Sequence, residues 1–119
     1  MSFEIVVSAE TAYLRVEAKG TYSASEMFAF IDRAFFECNT RKFKRVLLDC
    51  SAICGDMSEA DRFRHGYRFA ETFGPVIKGA VVVATGQLTK LGELTARNRG
   101  ANLLVTDSAP EAIDWLNAM

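Results

Sequence analysis

Half of the 119 residues are apolar, 24% are charged and two are proline, a composition that suits one compact domain burying roughly two thirds of its unfolded surface and excludes a disordered regulator. A formal net charge of −1 gives no overall attraction to nucleic acid or an anionic membrane. The longest apolar run, around Ala80 to Ala84, is far shorter than the ~20 residues of a spanning helix, and Met1-Ser2-Phe3-Glu4 lacks the basic and apolar regions of a signal peptide, so a cytoplasmic location is expected.

Residues 3 to 7 and 13 to 18 are rich in β-branched and aromatic side chains. In the second run Leu14 and Val16 alternate with Arg15 and Glu17, as in a strand with one wet face. Ser8-Ala9-Glu10-Thr11 supplies a polar turn between them, which predicts a hairpin ended by Gly20. From Ser23 or Ser25 to about Asn39 the period becomes helical, with Met27, Ile31, Ala34, Phe35 and Cys38 on one stripe facing the sheet. The polar segment Thr40 to Arg45 leads into Val46-Leu47-Leu48, an unbroken apolar run suited to a strand covered on both faces.

After Asp49 a loop reaches Ser58-Glu59-Ala60-Asp61, a capping box with aspartate in the glutamate position, which starts a second helix. On it Phe63, Gly66, Tyr67, Ala70 and Phe73 share the expected inner face, with Gly66 allowing close approach to the sheet. Arg64, His65, Arg68 and Thr72 are expected outside. Gly74-Pro75 stops this helix, and residues 76 to 84 form a second buried strand centred on Val81-Val82-Val83. Leu88, Leu91 and Leu94 mark a third helix closed by Gly100, and Leu103 to Thr106 form the last strand. Ser108-Ala109-Pro110-Glu111 opens a final helix that turns Ala112, Ile113 and Leu116 inward.

The order ββαβαβαβα predicts one α/β domain over residues 1–119. Its sheet is five-stranded and mostly parallel, with an N-terminal antiparallel hairpin and right-handed crossovers. Ligands and partners of such sheets meet the loops beyond the carboxyl ends of the strands, here residues 50 to 58 and 84 to 88.

Signatures of catalysis are missing: the sequence contains no G-x-x-x-x-G-K-[ST], H-E-x-x-H or G-x-S-x-G. His65, the single histidine, falls on the predicted solvent face and reads as a surface imidazole rather than a base or metal ligand. Cys38, Cys50 and Cys54 are odd in number and lack C-x-x-C spacing, so free thiols and no metal are expected. A helix N-terminus near Cys54 favours a thiolate, whereas Asp56, Glu59 and Asp61 oppose one. Those three carboxylates read first as charges that the helix dipole favours, and second as an acid/base or metal cluster.

The basic run Arg41, Lys42, Lys44 and Arg45 around Phe43 is a solvated loop or a phosphate contact. Arg97 and Arg99 belong to an ordinary helix ending or to an anion contact. Phe36 falls about half a turn from the inward stripe of the first helix, Phe28 at that stripe's margin and Phe69 at the edge of the second helix. These rings line an interface, a membrane contact or an apolar ligand groove, or stand as isolated surface residues.

The segments Arg45-Val46-Leu47-Leu48-Asp49, Ser58-Glu59-Ala60-Asp61-Arg62-Phe63, Ala80-Val81-Val82-Val83-Ala84, Ala96 to Asn102 and Glu111-Ala112-Ile113-Asp114-Trp115-Leu116 together resemble the SpoIIAA-like family of STAS-related domains over nearly the whole length. The resemblance implies the same α/β architecture. STAS relatives include anti-sigma-factor antagonists, whose loop before the second helix carries Asp-Ser-Ser-Gly with a phosphorylatable serine. The corresponding segment here is Asp56-Met57-Ser58-Glu59, which keeps Asp56 and Ser58 but lacks the adjacent serine and the glycine. Similarity of the SpoIIAA-like branch to CRAL-TRIO lipid-transfer domains implies an apolar ligand or a peripheral membrane contact.

The leading expectation is a non-enzymatic ligand-binding or regulatory module without cofactor. Its apolar surface is Phe28, Phe36 and Phe69, and its polar loop includes Asp56, Ser58, Asp61 and Arg62. The expected partners are a lipid-like small molecule, a regulatory protein or a second copy in a homodimer, and not nucleic acid. The alternative is a STAS-type protein-interaction switch centred on Ser58.

Overall fold

The computed structural model describes residues 2–118, so positions 1 and 119 lie outside the described residues. Strands β1 (Glu4–Ala9) and β2 (Leu14–Thr21) form the antiparallel hairpin, with Val7 opposite Val16. The chain continues through α1 (Ala24–Arg41), β3 (Arg45–Cys54), α2 (Glu59–Phe73), β4 (Lys78–Val83), α3 (Leu91–Asn98), β5 (Asn102–Thr106) and α4 (Ala109–Asn117). In the sheet the strands stand in sequence order, β1-β2-β3-β4-β5, and every pair after the hairpin is parallel. The two apolar runs are neighbours, with Leu48 opposite Val81.

Because the parallel strands advance in one direction, crossovers of one hand place their helices on one face. Residues of α1, α2 and α3 accordingly share a core with Val16, Val46, Leu48 and Leu103. The other face carries a smaller core in which Ala112 and Leu116 of α4 cover Leu47, Ala80 and Val82. Beside it, the uncovered outer face of β2 is polar: Arg15 pairs with both Glu17 and Asp49. Asp49 also accepts hydrogen bonds from the Ser51 amide at 3.1 Å and hydroxyl at 2.6 Å, where the pairing register of β2 and β3 shifts.

The starts of α1, α2 and α4 follow the side chains that cap them. Ser23, Ser58 and Ser108 accept from the amides of Glu26, Asp61 and Glu111 respectively, each satisfying one of the donors left free in a first turn. Helix α1 ends at Lys42, which adopts a left-handed conformation and donates its amide to Cys38.

Three expectations about local structure are corrected. Strand β3 continues through Cys54, since its far half still pairs with β2 as far as Thr21, so the loop before α2 is only residues 55 to 58. Helix α2 is turned relative to the expected phase. His65, Gly66, Phe69, Ala70 and Phe73 face inward, while Phe63 and Tyr67 are 42% and 40% exposed. Gly66 serves contact with α3 rather than with the sheet: a Cβ on Gly66 would stand 2.4 Å from the Gly92 carbonyl oxygen. The close approach to the sheet comes instead at Gly79 of β4, where a Cβ would lie 2.6 Å from Phe69 Cζ.

Candidate functional site

Two loops meet at the carboxyl ends of the parallel strands, residues 55 to 58 between β3 and α2 and residues 84 to 90 between β4 and α3. Gln87 joins them, its side-chain amide donating to Asp56 at 3.5 Å while Arg62 Nη2 donates to the Gln87 backbone carbonyl at 3.4 Å. Beneath the loops lies a cavity of about 130 Å³. Met27, Phe30 and Ile31 of α1, Phe69 of α2, and Leu48, Val81 and Val83 of the sheet form its apolar walls. Phe69 stands over Gly79 and stacks on Phe73, with ring centroids 4.2 Å apart, so it fills the space over the start of β4 and leaves the end of that strand only half covered.

One side of the cavity is polar. Tyr22 is drawn to the end of β3 by the bond from its amide to the Cys54 carbonyl, 2.7 Å. Its hydroxyl donates to Asp61 Oδ2 at 3.0 Å and lies 2.7 Å from His65 Nε2. Burial, helped by the bond to Asp61, pushes the Tyr22 phenol well above its ordinary pKa. Burial also lowers the His65 pKa to about 4, against the opposing pull of Asp61, so the ring is neutral near pH 7.

The expectation that His65 is a surface imidazole is therefore corrected: it is 8% exposed. The Phe28 ring packs edge-on against it, centroids 4.6 Å apart. The tolerance of the interior for this ring comes from Tyr22, a partner far away in sequence.

Of the polar-loop residues, Ser58, Asp61 and Arg62 lie together at the start of α2, whereas Asp56 precedes the cap by two residues and is tied to Gln87. Ser58 is exposed and its hydroxyl accepts from the Asp61 amide at 3.1 Å. The carboxylates around it are already engaged: Glu59 pairs with Arg62 at 2.7 Å, and Asp61 with Arg64 at 3.0 Å. Among the described residues no group of three or more His, Cys, Asp and Glu could hold a metal ion. The three thiols are free; burial pushes Cys38 up to about 11 and Cys50 up to about 12, while Cys54 is exposed.

The three phenylalanines do not make one surface. Phe36 is 61% exposed on α1, Phe28 is half-buried beneath the Arg68 guanidinium, and Phe69 is 2% exposed in the core. Phe69 contributes instead to the cavity wall. Arg97 and Arg99 are committed to different partners. Arg97 Nε donates to the Leu103 carbonyl at 2.7 Å, whereas the Arg99 guanidinium lies over the Tyr67 ring, 4.6 Å from its centre.

Neither a family model nor a curated protein matches the chain. Solved structures do. An anti-sigma factor antagonist from Mycobacterium paratuberculosis aligns over 98% of this chain and 96% of its own, with a TM-score of 0.67 and 14% sequence identity. The two share a fold. A protein of the DUF3478 family with a SpoIIAA-like fold, from Shewanella loihica, aligns over 97% of this chain and 94% of its own at a TM-score of 0.49 and 16% identity. The assignment of architecture rests on the former, whose likeness at this identity is one of fold. It agrees with the five-stranded mixed sheet and four helices described above. No helix among the described residues is long and apolar enough to cross a membrane.

Proposed function

We propose that the chain is a non-enzymatic regulatory module of the cytoplasm that works by binding a protein partner through the β3–α2 loop and the first turn of α2, with Ser58 as its switch. The reading is carried by the exposure of Ser58 at the start of a helix in a chain that shares, end to end, the fold of an anti-sigma factor antagonist. The partner class suggested by that likeness is an anti-sigma factor.

The local chemistry suits a charge switch. A phosphate on Ser58 would sit at the N-terminus of a 15-residue helix, where free amides and the helix dipole favour negative charge. Glu59 and Asp61 oppose it, but each already has an arginine in the same turn. The phosphate would therefore compete for Arg62 and Arg64, changing both the charge and the shape of the surface a partner meets.

The test is calorimetric titration of the full chain with the purified anti-sigma factors of its own host, before and after phosphorylation. One-to-one binding that weakens at least tenfold on modification is the expected outcome. No binding to any of them, or binding indifferent to Ser58, overturns the proposal.

A second reading, binding of an apolar small molecule, is supported by the cavity under α1, α2 and α3. It replaces the aromatic surface as the place where such a ligand would sit. Phe36 alone is left as a proposed contact for a homodimer or a membrane surface.

A further inference from the structure

Two polar side-chain atoms among the described residues are buried without a hydrogen-bond partner, His65 Nδ1 and Thr89 Oγ1. Both belong to residues that line the cavity beneath the two loops. Buried polar atoms of native proteins nearly always have a partner, so two orphans at one apolar cavity call for a common explanation. His65 is more than nine-tenths buried, and its helix is held against α3 by the Gly66–Gly92 contact.

The hydrogen bonds around Tyr22 determine what His65 can accept. The phenol has one proton, and it goes to Asp61 Oδ2. His65 Nε2, 2.7 Å from the same oxygen, must then be the donor in its own bond to Tyr22. A neutral imidazole with its proton on Nε2 presents a bare acceptor at Nδ1. That acceptor is the orphaned atom.

We infer that this cavity binds a small neutral molecule with an apolar body about the size of one six-membered ring and one hydroxyl group, which donates its proton to His65 Nδ1 and accepts from the Thr89 hydroxyl. Its volume of about 130 Å³ is close to that of cavities that accept a benzene-sized guest. An anion is disfavoured, because the walls are apolar and Arg62, the cationic residue of the lining, is already paired with Glu59. The low proton affinity of His65 keeps the acceptor available at neutral pH. This inference rests on the apolar-ligand reading and adds to it the chemistry of the ligand.

The experiment titrates the full chain with phenol and, separately, with benzene, following the ring nitrogens of His65 by ¹⁵N NMR. Phenol is expected to bind about tenfold more tightly than benzene, the equivalent of one net hydrogen bond, and to move the Nδ1 resonance while leaving Nε2 protonated. Thr89→Val, which keeps the side-chain shape, should reduce the advantage of phenol several-fold and leave benzene binding unchanged. His65→Phe should abolish that advantage, and the NMR readout on the unsubstituted chain stands even if this variant does not fold. Equal binding of phenol and benzene with Nδ1 unmoved overturns the donor chemistry and leaves the apolar-ligand reading standing. Failure of both to bind at millimolar concentration overturns both.

Discussion

Replacing Gly66 with alanine probes the contact that sets the spacing of α2 and α3 beside the cavity. The new Cβ would lie 2.4 Å from the Gly92 carbonyl oxygen and 3.0 Å from the Gly92 Cα. Both are backbone atoms, so no change of rotamer relieves the clash. Restoring a normal separation of about 3.5 Å requires the helices to part by roughly 1 Å. Alanine in a helix interior gains about 1 kcal/mol over glycine, whereas overpacking costs about 1–3 kcal/mol and parting the helices also loosens their contacts. The net expectation for Gly66→Ala is a loss of about 1–2 kcal/mol, or a fall in Tm of roughly 4–10 °C for a chain of this size. Urea and thermal unfolding followed by circular dichroism measure it. Gly92→Ala is the control: its Cβ meets the Arg62 carbonyl at 3.4 Å, an ordinary contact, so this variant should be as stable as the parent or up to about 1 kcal/mol more stable. If Gly66→Ala is as stable as the parent or more so, the close packing of α2 on α3 is refuted.

Acid should destabilise the chain first through His65. Its folded pKa of about 4 lies below the ordinary 6.5, so its contribution is fully present above pH 6.5 and is lost as the pH falls toward 4, by up to about 1.4 kcal/mol per pH unit. Glu37, held below its ordinary pKa by Arg33 and Arg41, adds a loss only below about pH 4.5, which leaves the window above that to His65. Urea midpoints between pH 7 and 4.5 check this, and a midpoint that does not move counts against a neutral buried ring. Ser58→Ala removes the cap of α2 and should cost about 1 kcal/mol, whereas Ser58→Asp keeps an acceptor there and should cost little. Under the switch proposal it is Ser58→Asp, the stable variant, that loses the partner. Phe36→Asp should leave folding intact to within about 0.5 kcal/mol, because the ring is mostly exposed; unchanged oligomeric state and liposome binding would eliminate Phe36 as a contact.

Architecture was legible because it is written in local patterns. Two uninterrupted apolar runs, three serines at helix starts and a change of period from two to 3.6 define the element order without knowledge of distant contacts. The phase of α2 was not. Gly66, Ala70 and Phe73 belong both to the expected inner face and to the real one. The choice between Phe63 with Tyr67 and His65 with Phe69 depends on Arg99, which lies over the first pair, and on Tyr22, which satisfies His65. Neither partner is near in sequence.

At the candidate site, Ser58, Asp61 and Arg62 could be grouped because one helix start holds them, whereas the tie of Asp56 to the distant Gln87 could not be read. The cavity left no comparable trace, since a void is a shortage of side-chain volume shared among α1, α2, β3 and β4. Residues as small as Gly79 and as distant as Phe30 take part in shaping it.

Hydrogen–deuterium exchange of the chain alone and in its partner complex addresses the regulatory reading most directly. The account predicts new protection concentrated at residues 54 to 64, with the Phe36 face of α1 unaffected and the protection lost on phosphorylation of Ser58. Protection confined to α1 or α4, or a footprint that persists after phosphorylation, would contradict it.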